Sequence, residues 1–272
     1  MKAIEAINLV FSYPDGTRAL EGASFSIDSG ESVALLGPNG SGKSTLLLHL
    51  NGILRGQGTV RIMGREITED NLSWVRSQVG MVFQDPDDQL FMPTLEEDVS
   101  FGPRNMGLSE AAVQEAVSWA LRSTGLVDLE AKSPHHLSFG QRKRAAVATV
   151  LSMRPPVMVL DEPTSNLDPR SKREVATLIR SLQEKGTTII TATHDANLVP
   201  YMADRVLLLD RKIVADGDVR QILCRRNLMK GLGLEMPLLA DLFERLREEK
   251  IYSGATPFAA DIAAKEIIDL LK

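Results

Sequence analysis

The chain has 272 residues, 43% of them hydrophobic, and a formal net charge of −5. That is the make-up of an ordinary globular protein, with room for one sizeable domain plus an appendage or for two small domains. The acidic balance argues against a nucleic-acid backbone as the main ligand, although local basic patches survive it; the single cysteine, Cys224, can form no internal disulfide and fits a reducing compartment.

The first segment, MKAIEAINLVFSY, alternates apolar and polar residues like a strand. It lacks the continuous apolar core and small-residue cleavage site of a signal peptide, so export is not expected. A second strand-like stretch, ALEGASFSID, follows, and a third, SVALLG, runs straight into GPNGSGKST and the apolar helix LLLHLNGIL. GTVRIMG and QVGMVFQ read as short strands with turn residues between them. From about Thr94 to Arg154 the apolar spacing suits helices. Within this helical insert SEAAVQEAVSWALRSTG opens with Ser109 as N-cap and stops at Gly125, and SFGQRKRAAVATVLSM follows. The strand pattern returns in VMVLDE, TTIITATH, RVLLLD and KIVADG, with the helix REVATLIRSLQEKG between the first two. Apolar runs alternating with helices predict an α/β fold with a parallel sheet covered on both faces. Beyond about Asp218 the tail reads as mostly helical, with PLLADLFERLREEK and DIAAKEIIDLLK both amphipathic. A membrane-spanning helix needs about 20 predominantly apolar residues, and the longest apolar runs here fall far short, so no direct span is expected.

The segment from Gly37 to Thr45 satisfies G-x-x-x-x-G-K-[ST], with Gly37, Gly42, Lys43 and Ser44 in the fixed places and Asn39, Gly40 and Ser41 between. Glycines let backbone N–H groups close around phosphate oxygens, the helix that follows presents its positive end, and Lys43 adds a full charge near the β and γ phosphates. Ser44 would ligate Mg2+. The apolar strand VMVLDE ends in Asp161 and Glu162. Acids at a strand end are often merely exposed; beside a phosphate loop they suggest Asp161 in the Mg2+ shell and Glu162 polarising the attacking water. His194 closes another apolar strand, placed to hydrogen-bond the γ-phosphate or to position Glu162. The four histidines, His49, His135, His136 and His194, do not form a spaced metal set.

With these motifs in this order the chain resembles the ABC-type ATPases, the nucleotide-binding subunits of ABC systems. GPNGSGKST looks like their Walker A, VMVLDE their Walker B, LSFGQ their signature (usually LSGGQ), SNLD their D-loop and His194 their switch histidine, and the resemblance runs from Lys2 to Val219. It implies a P-loop NTPase of ABC type: a RecA-like parallel-sheet core with an antiparallel β subdomain and a helical subdomain at about 94–154, forming a cassette over 1–219, with a C-terminal helical extension over 220–272. It also implies a second ATPase subunit, since such cassettes close head to tail with each ATP between one Walker A and the other's signature. Ser138, Phe139, Gly140 and Gln141 would then touch the ATP of the partner. Phe139 departs from the family's usual glycine. Tyr13 matches the aromatic residue that stacks on adenine, Gln84 the Q-loop glutamine that approaches Mg2+, and Asp168 the D-loop acid that crosses the dimer interface. Arg142 to Arg144 read as a basic helix start beside a phosphate site rather than as a nucleic-acid patch.

FQDPDDQLFMPTLEEDVSFGPRNMG resembles the Q-loop segment of energy-coupling-factor importer ATPases, and PHHLSFGQRKRAAVA is similar to their cobalt and nickel branch. As part of that resemblance the acids Asp85, Asp87 and Asp88 would frame a groove where a transmembrane coupling protein docks; the plainer alternative is a solvated loop. The resemblance implies a peripheral protein on the cytoplasmic face of the cell membrane, serving a coupling protein and a substrate-binding membrane protein, with a C-terminal extension that helps hold the dimer. Vitamin-importing relatives share most of these motifs. A non-transport ABC ATPase acting on DNA or ribosomes fits less well, because the insert is short, sustains no heptads and accompanies a single cassette.

Overall fold

Two sheets and the helices around them are built from elements that follow one another closely along the chain. The computed structural model describes residues 1–271. Strands β1 (Lys2–Ser12) and β2 (Arg18–Asp28) are followed by β3 (Ser32–Leu36), helix α1 (Lys43–Leu50), β4 (Gln57–Ile62), β5 (Arg65–Glu66), α2 (Leu72–Gln78) and β6 (Val79–Val82). The helical stretch holds α3 (Leu95–Asn105), α4 (Glu110–Thr124) and α5 (Phe139–Leu151). Strand and helix then alternate through β7 (Val157–Asp161), α6 (Pro169–Glu184), β8 (Thr188–Thr193), α7 (Val199–Met202), β9 (Arg205–Asp210) and β10 (Lys212–Asp218). The tail is α8 (Val219–Leu223), α9 (Arg226–Gly231), α10 (Leu238–Glu248) and α11 (Ala260–Leu270).

One sheet is antiparallel in the order β2-β1-β4-β5, and the other runs β10-β9-β3-β8-β7-β6. From β9 to β6 the second sheet is parallel, and every residue of β3, β7 and β8 is buried, as a strand covered on both faces requires. Side chains alternate across it. Ala34, Leu36, Met158, Leu160 and Leu208 join α3 to α6 in one core, while Val33, Leu35, Val157, Val159 and Leu207 join α1 and the antiparallel sheet in another. The central sheet is therefore held between the helical insert and the small sheet, and the carboxyl ends of its strands are left to the loops.

Helix ends follow local chemistry. Ser109 caps α4 by accepting from Ala112 N, and Gly125 ends it at φ 65°. Thr94 and Glu97 form a reciprocal capping box at α3. α1 is shorter than LLLHLNGIL predicts, because Asn51 caps it and Gly52 turns at φ 72°. A Cβ at Gly52 would lie 2.5 Å from the Leu72 side chain, so the chain must leave the helix there. α2 occupies sequence expected to hold only strands and turns; its seven residues bury Val75 alone, too little periodicity to announce a helix. β10 pairs antiparallel with β9 through a hairpin at Arg211, φ 56°, so the parallel sheet predicted for all four returning strands ends at β9. At the sheet margins β6 is wholly buried with α2 and α5 against it, whereas β10 alternates exposed and half-buried residues.

In the tail, α8 and α9 bury Ile222, Leu223 and Met229 in the helical-side core. α10 and α11 share a small core of Phe243, Tyr252 and Ala263, with the two rings edge to face at 4.8 Å. Tyr201 Oη donates to Phe258 O at 3.0 Å and Arg220 Nη1 to Thr256 O at 2.9 Å, tying the tail down. No helix among the described residues is long and apolar enough to cross a membrane.

Candidate active site

β3 delivers the chain into the Gly37–Gly42 loop, and α1 begins immediately beyond it. Two glycines there are dictated by space: a Cβ at Gly37 would lie 2.3 Å from Leu209 O, and one at Gly42 would lie 2.3 Å from Ala19 O with φ at 96° besides. The first N–H groups of a helix have no partners within it, so the start of α1 attracts an anion. Lys43 is 8% exposed, and its Nζ donates to Gly37 O at 2.8 Å and Pro38 O at 3.1 Å, spanning the loop. Burial pushes its pKa down, opposed by the nearby Glu162 and Asp161 carboxylates.

A cleft of about 420 Å³ gathers Tyr13, Asn39, Gly40, Gly42, Lys43, Ser44, Thr45, Gln84, Glu162 and His194. Gly37 and Ser41 belong to the loop without lining the cleft, and Ser41 O accepts from Arg211 N at 2.9 Å. Tyr13 stands at the mouth with its ring edge-to-face on Phe11 at 5.1 Å, and its hydroxyl is 2.9 Å from Thr45 Oγ1. His49 is absorbed structurally: it is buried, with Nδ1 2.7 Å from Thr45 O.

Because β7 and β8 are parallel neighbours with Asp161 opposite Ala192, their ends bring Asp161, Glu162 and His194 together on the loop side. Glu162 takes a left-handed φ of 46°, with its N–H donating to Ala192 O at 3.0 Å. His194 Nδ1 lies 2.9 Å from Glu162 Oε1, while Glu162 Oε2 is buried with no partner. A carboxylate oxygen accepts, so Nδ1 carries the hydrogen and Nε2 is left toward the cleft.

Asp161 is 5% exposed. Burial pushes its carboxyl pKa up, moderated by a hydrogen bond from Ser44, and Oδ1 has no partner. A hydroxyl and an orphaned carboxylate oxygen beside a phosphate loop form the hard oxygen donor set that suits Mg2+. Among the described residues no group of three or more His, Cys, Asp and Glu is placed to hold a metal by itself, so further ligands would have to come from phosphate, water or the Gln84 amide.

The signature lies outside this cleft. Ser138 caps α5, its Oγ accepting from Gln141 N at 3.3 Å while Gln141 Oε1 accepts from Ser138 N at 2.8 Å. Phe139 is the first helical residue and does not take a positive φ, so replacing the usual glycine asks nothing unusual of the backbone. A Cβ at Gly140 would meet Ser171 Oγ at 3.3 Å. Ser171 also donates to Asp168 Oδ2 at 2.6 Å, and this bond, with the backbone N–H groups of Ser171 and Arg170, holds the Asp168 carboxyl below its ordinary pKa. Asp168 thus caps α6.

The three residues of the basic run have different surroundings. Arg142 pairs with Asp87 at 3.2 Å and Arg144 with Glu174 at 3.0 Å, but Lys143 is only 1% exposed. Its Nζ donates to Gln84 O at 2.5 Å, Glu162 O at 2.8 Å and Ser165 Oγ at 3.2 Å. The reading of a basic helix start left the burial of Lys143 unaddressed; the available signal was its spacing of three and four from Ala146 and Val147, which share the buried face.

A larger groove of about 1240 Å³ opens on another side, where Trp74 and Phe83 face Phe91, Phe101 and Met106. Phe91 is 62% exposed and packs edge-to-face on Phe101 at 5.2 Å. Gln89 ties this region to α5, its Nε2 donating to Ala146 O at 2.9 Å and Thr149 Oγ1 at 2.7 Å.

The ABC transporter family model matches residues 20–165. An energy-coupling factor transporter ATP-binding protein of Methanocaldococcus jannaschii is 45% identical, over 100% of this chain and 99% of its own. Another, of Methanosphaera stadtmanae, is 48% identical over 90% of each. The solved structure of cbiO1 from Clostridium perfringens, described as part of the ABC transporter complex cbiONQ, superposes with a TM-score of 0.77 at 39% identity, covering 89% of this chain and 99% of that one. An ATP-binding cassette solved as a dimer with ADP and Pi superposes at 0.72 with 27% identity, covering 80% and 99%. A phosphate loop facing a strand-end glutamate and histidine is the arrangement such a match requires, and the chain belongs to the ABC transporter ATP-binding proteins, an ATPase whose hydrolysis is coupled to transport.

Proposed function

We propose that this chain is the ATPase subunit of an energy-coupling-factor importer, that it binds Mg-ATP in the Gly37–Thr45 cleft, and that it powers uptake of cobalt or nickel ions through membrane partners. The observation that carries the chemistry is the juxtaposition of Lys43 with the Glu162–His194 pair in one cleft. Lys43 exchanges its two loop carbonyls for phosphate oxygens, and the N–H groups opening α1 take the remaining charge. Glu162 Oε2, free of other partners, accepts a proton from the water that attacks the γ-phosphorus, while His194 holds Oε1 and so aims the carboxyl. The bond between the γ-phosphorus and its bridging oxygen breaks, and ADP and phosphate leave. Mg2+, held by Ser44 and Asp161 with Gln84 near, would neutralise charge on the phosphate oxygens. Tyr13 offers its ring to adenine.

Two copies close head to tail. Ser138, Phe139, Gly140 and Gln141, which stand away from their own cleft, reach the ATP of the partner through the N-terminus of α5, and Asp168 lies at the same junction. Residues 1–219 act as the cassette, with about 94–154 as its helical part, and 220–272 help hold the dimer. α11 supports this role, since it exposes Ile262, Ile268 and Leu270.

The large groove receives helices of a transmembrane coupling protein. Support comes from its size and exposed aromatic rim, a patch of the kind that marks interaction sites, and from the acids Asp87 and Asp88 beside it. The chain therefore works peripherally at the cytoplasmic face of the membrane. The choice of cobalt or nickel follows the likeness of PHHLSFGQRKRAAVA to the cobalt and nickel branch; a vitamin-importing assembly is the second reading, since the transported substrate would never touch this chain.

Affinity purification of the tagged protein from gently solubilised native membranes tests the reading. Recovery of a small helical coupling protein with a metal-type binding component supports it, and recovery of a vitamin-binding component changes the cargo alone. Ribosomes, DNA or no membrane protein would overturn it.

A further inference from the structure

The buried ammonium of Lys143 sits where three functional segments converge. A lysine has three donors, and each meets an acceptor: Gln84 O, Glu162 O and Ser165 Oγ. Ser165 donates to Glu162 O twice, from Oγ at 2.9 Å and from its backbone N–H at 3.2 Å, so with Lys143 the Glu162 carbonyl accepts three hydrogen bonds. This matters because Glu162 is a non-glycine residue at φ 46°. Such a conformation persists only where the surroundings over-determine it. What determines it here is its N–H on Ala192 O and its C=O on Lys143 and Ser165. Releasing the carbonyl would free the peptide to rotate, and with it the direction in which the Glu162 side chain leaves the backbone.

Lys143 also lies in the first turns of α5, the helix that Ser138 caps. The geometry points to Lys143 as a positioning residue for the Glu162 of its own subunit, linking the signature that touches one ATP to the base that acts on the other. This linkage rests on the head-to-tail reading proposed above. The signature and the Lys143 ammonium share one rigid helix, so a shift of α5 as the partner's ATP is engaged moves the group that holds Glu162 and the Gln84 carbonyl together.

The test uses Lys143→Met, which keeps the length without donors, and Lys143→Gln, which keeps one donating amide. Lys143→Met is expected to slow single-turnover hydrolysis by about 10–100-fold, the effect of misplacing a reacting group by roughly 1 Å, while ATP affinity changes less than about twofold, a kcat loss without a KM loss. Lys143→Gln recovers part of that rate. Loss of ATP binding in both variants would assign Lys143 to fold stability alone and overturn the proposal, as would a wild-type rate in Lys143→Met.

Mixed dimers locate the effect. With Lys43→Ala in one subunit and Lys143→Met in the other, the surviving ATP site contains the affected Glu162. With both changes in one subunit, it contains the wild-type Glu162 and only the signature of the variant. The first arrangement should hydrolyse about tenfold more slowly than the second; equal rates sink the inference. Placing Ser138→Arg beside Lys43→Ala, against a wild-type partner, is the control. Unchanged hydrolysis there refutes the shared site itself and leaves the role of Lys143 within its own subunit to be read from the first two variants.

Discussion

His194 and Glu162 meet at 2.9 Å across the ends of two parallel strands, and the carboxyl oxygen that His194 does not touch, Oε2, is buried with no partner. A desolvated acceptor beside a phosphate loop is poised for a proton. Glu162→Gln preserves shape and removes that capacity, so hydrolysis should fall by about 10²–10⁴-fold, the usual worth of a general base. ATP should be retained, and closed dimers should accumulate in Mg-ATP on size exclusion. A variant that stays monomeric and hydrolyses normally would refute the role.

Lys43 spans the loop by two hydrogen bonds to its carbonyls, and the proposed function has it exchange them for phosphate oxygens. Lys43→Ala removes one charge-assisted contact, about 1.5–3 kcal/mol, so ATP should bind roughly 10–100-fold more weakly and turnover should vanish. Isothermal titration with ATP and a phosphate-release assay measure the two effects separately.

Asp161 carries a pH signature. Its pKa is raised in the folded chain because the carboxylate is buried. Between the unfolded value of 3.8 and the higher folded value, the folded protein holds a proton that the unfolded chain has released. Stability from this group is thus largest below the ordinary carboxyl range and falls as pH rises through that window. Asp161→Asn removes the buried charge while keeping an oxygen acceptor. The variant should melt at a higher temperature than wild type at pH 7, with the gap closing as pH falls. It should also lose Mg-dependent turnover. A lower melting temperature at neutral pH would contradict the sign.

Composite sites make a counting prediction. Dimers with Ser138→Arg on one subunit and Lys43→Ala on the other contain one site with both defects and one intact site, so vanadate trapping of nucleotide should be partial. Complete loss would count against sharing.

Phe91 and Phe101 form an exposed aromatic pair at the large groove, away from the ATP cleft. Phe91→Asp should leave basal ATPase activity within about twofold, as surface changes away from structural features do. The same change should strip the membrane partners in the purification. Undiminished recovery of those partners would move the docking surface elsewhere.

Much of this was legible because phosphate binding constrains sequence as tightly as geometry. Gly37 and Gly42 are required by contacts to Leu209 O and Ala19 O, and the same two positions define the motif. Ser109 and Gly125 bounded α4 where their cap chemistry puts them. The misses share a different cause. α2 is too short for periodicity to register, and the antiparallel course of β10 depends on a two-strand hairpin that a run of apolar residues does not encode. The role of Lys143 was not legible, because composition cannot reveal that three acceptors from distant segments converge on one ammonium.

The margins of the central sheet bear on how the free chain avoids sticking to copies of itself. An open, flat, apolar edge recruits strands from other molecules. β6 has no such edge to offer, buried as it is beneath α2 and α5. β10 bears Lys212, Asp216 and Asp218 along its exposed positions, with Asp216 engaged by Arg205 at 2.7 Å. The central sheet thus offers little at either margin to template edge-to-edge pairing with another copy of the chain.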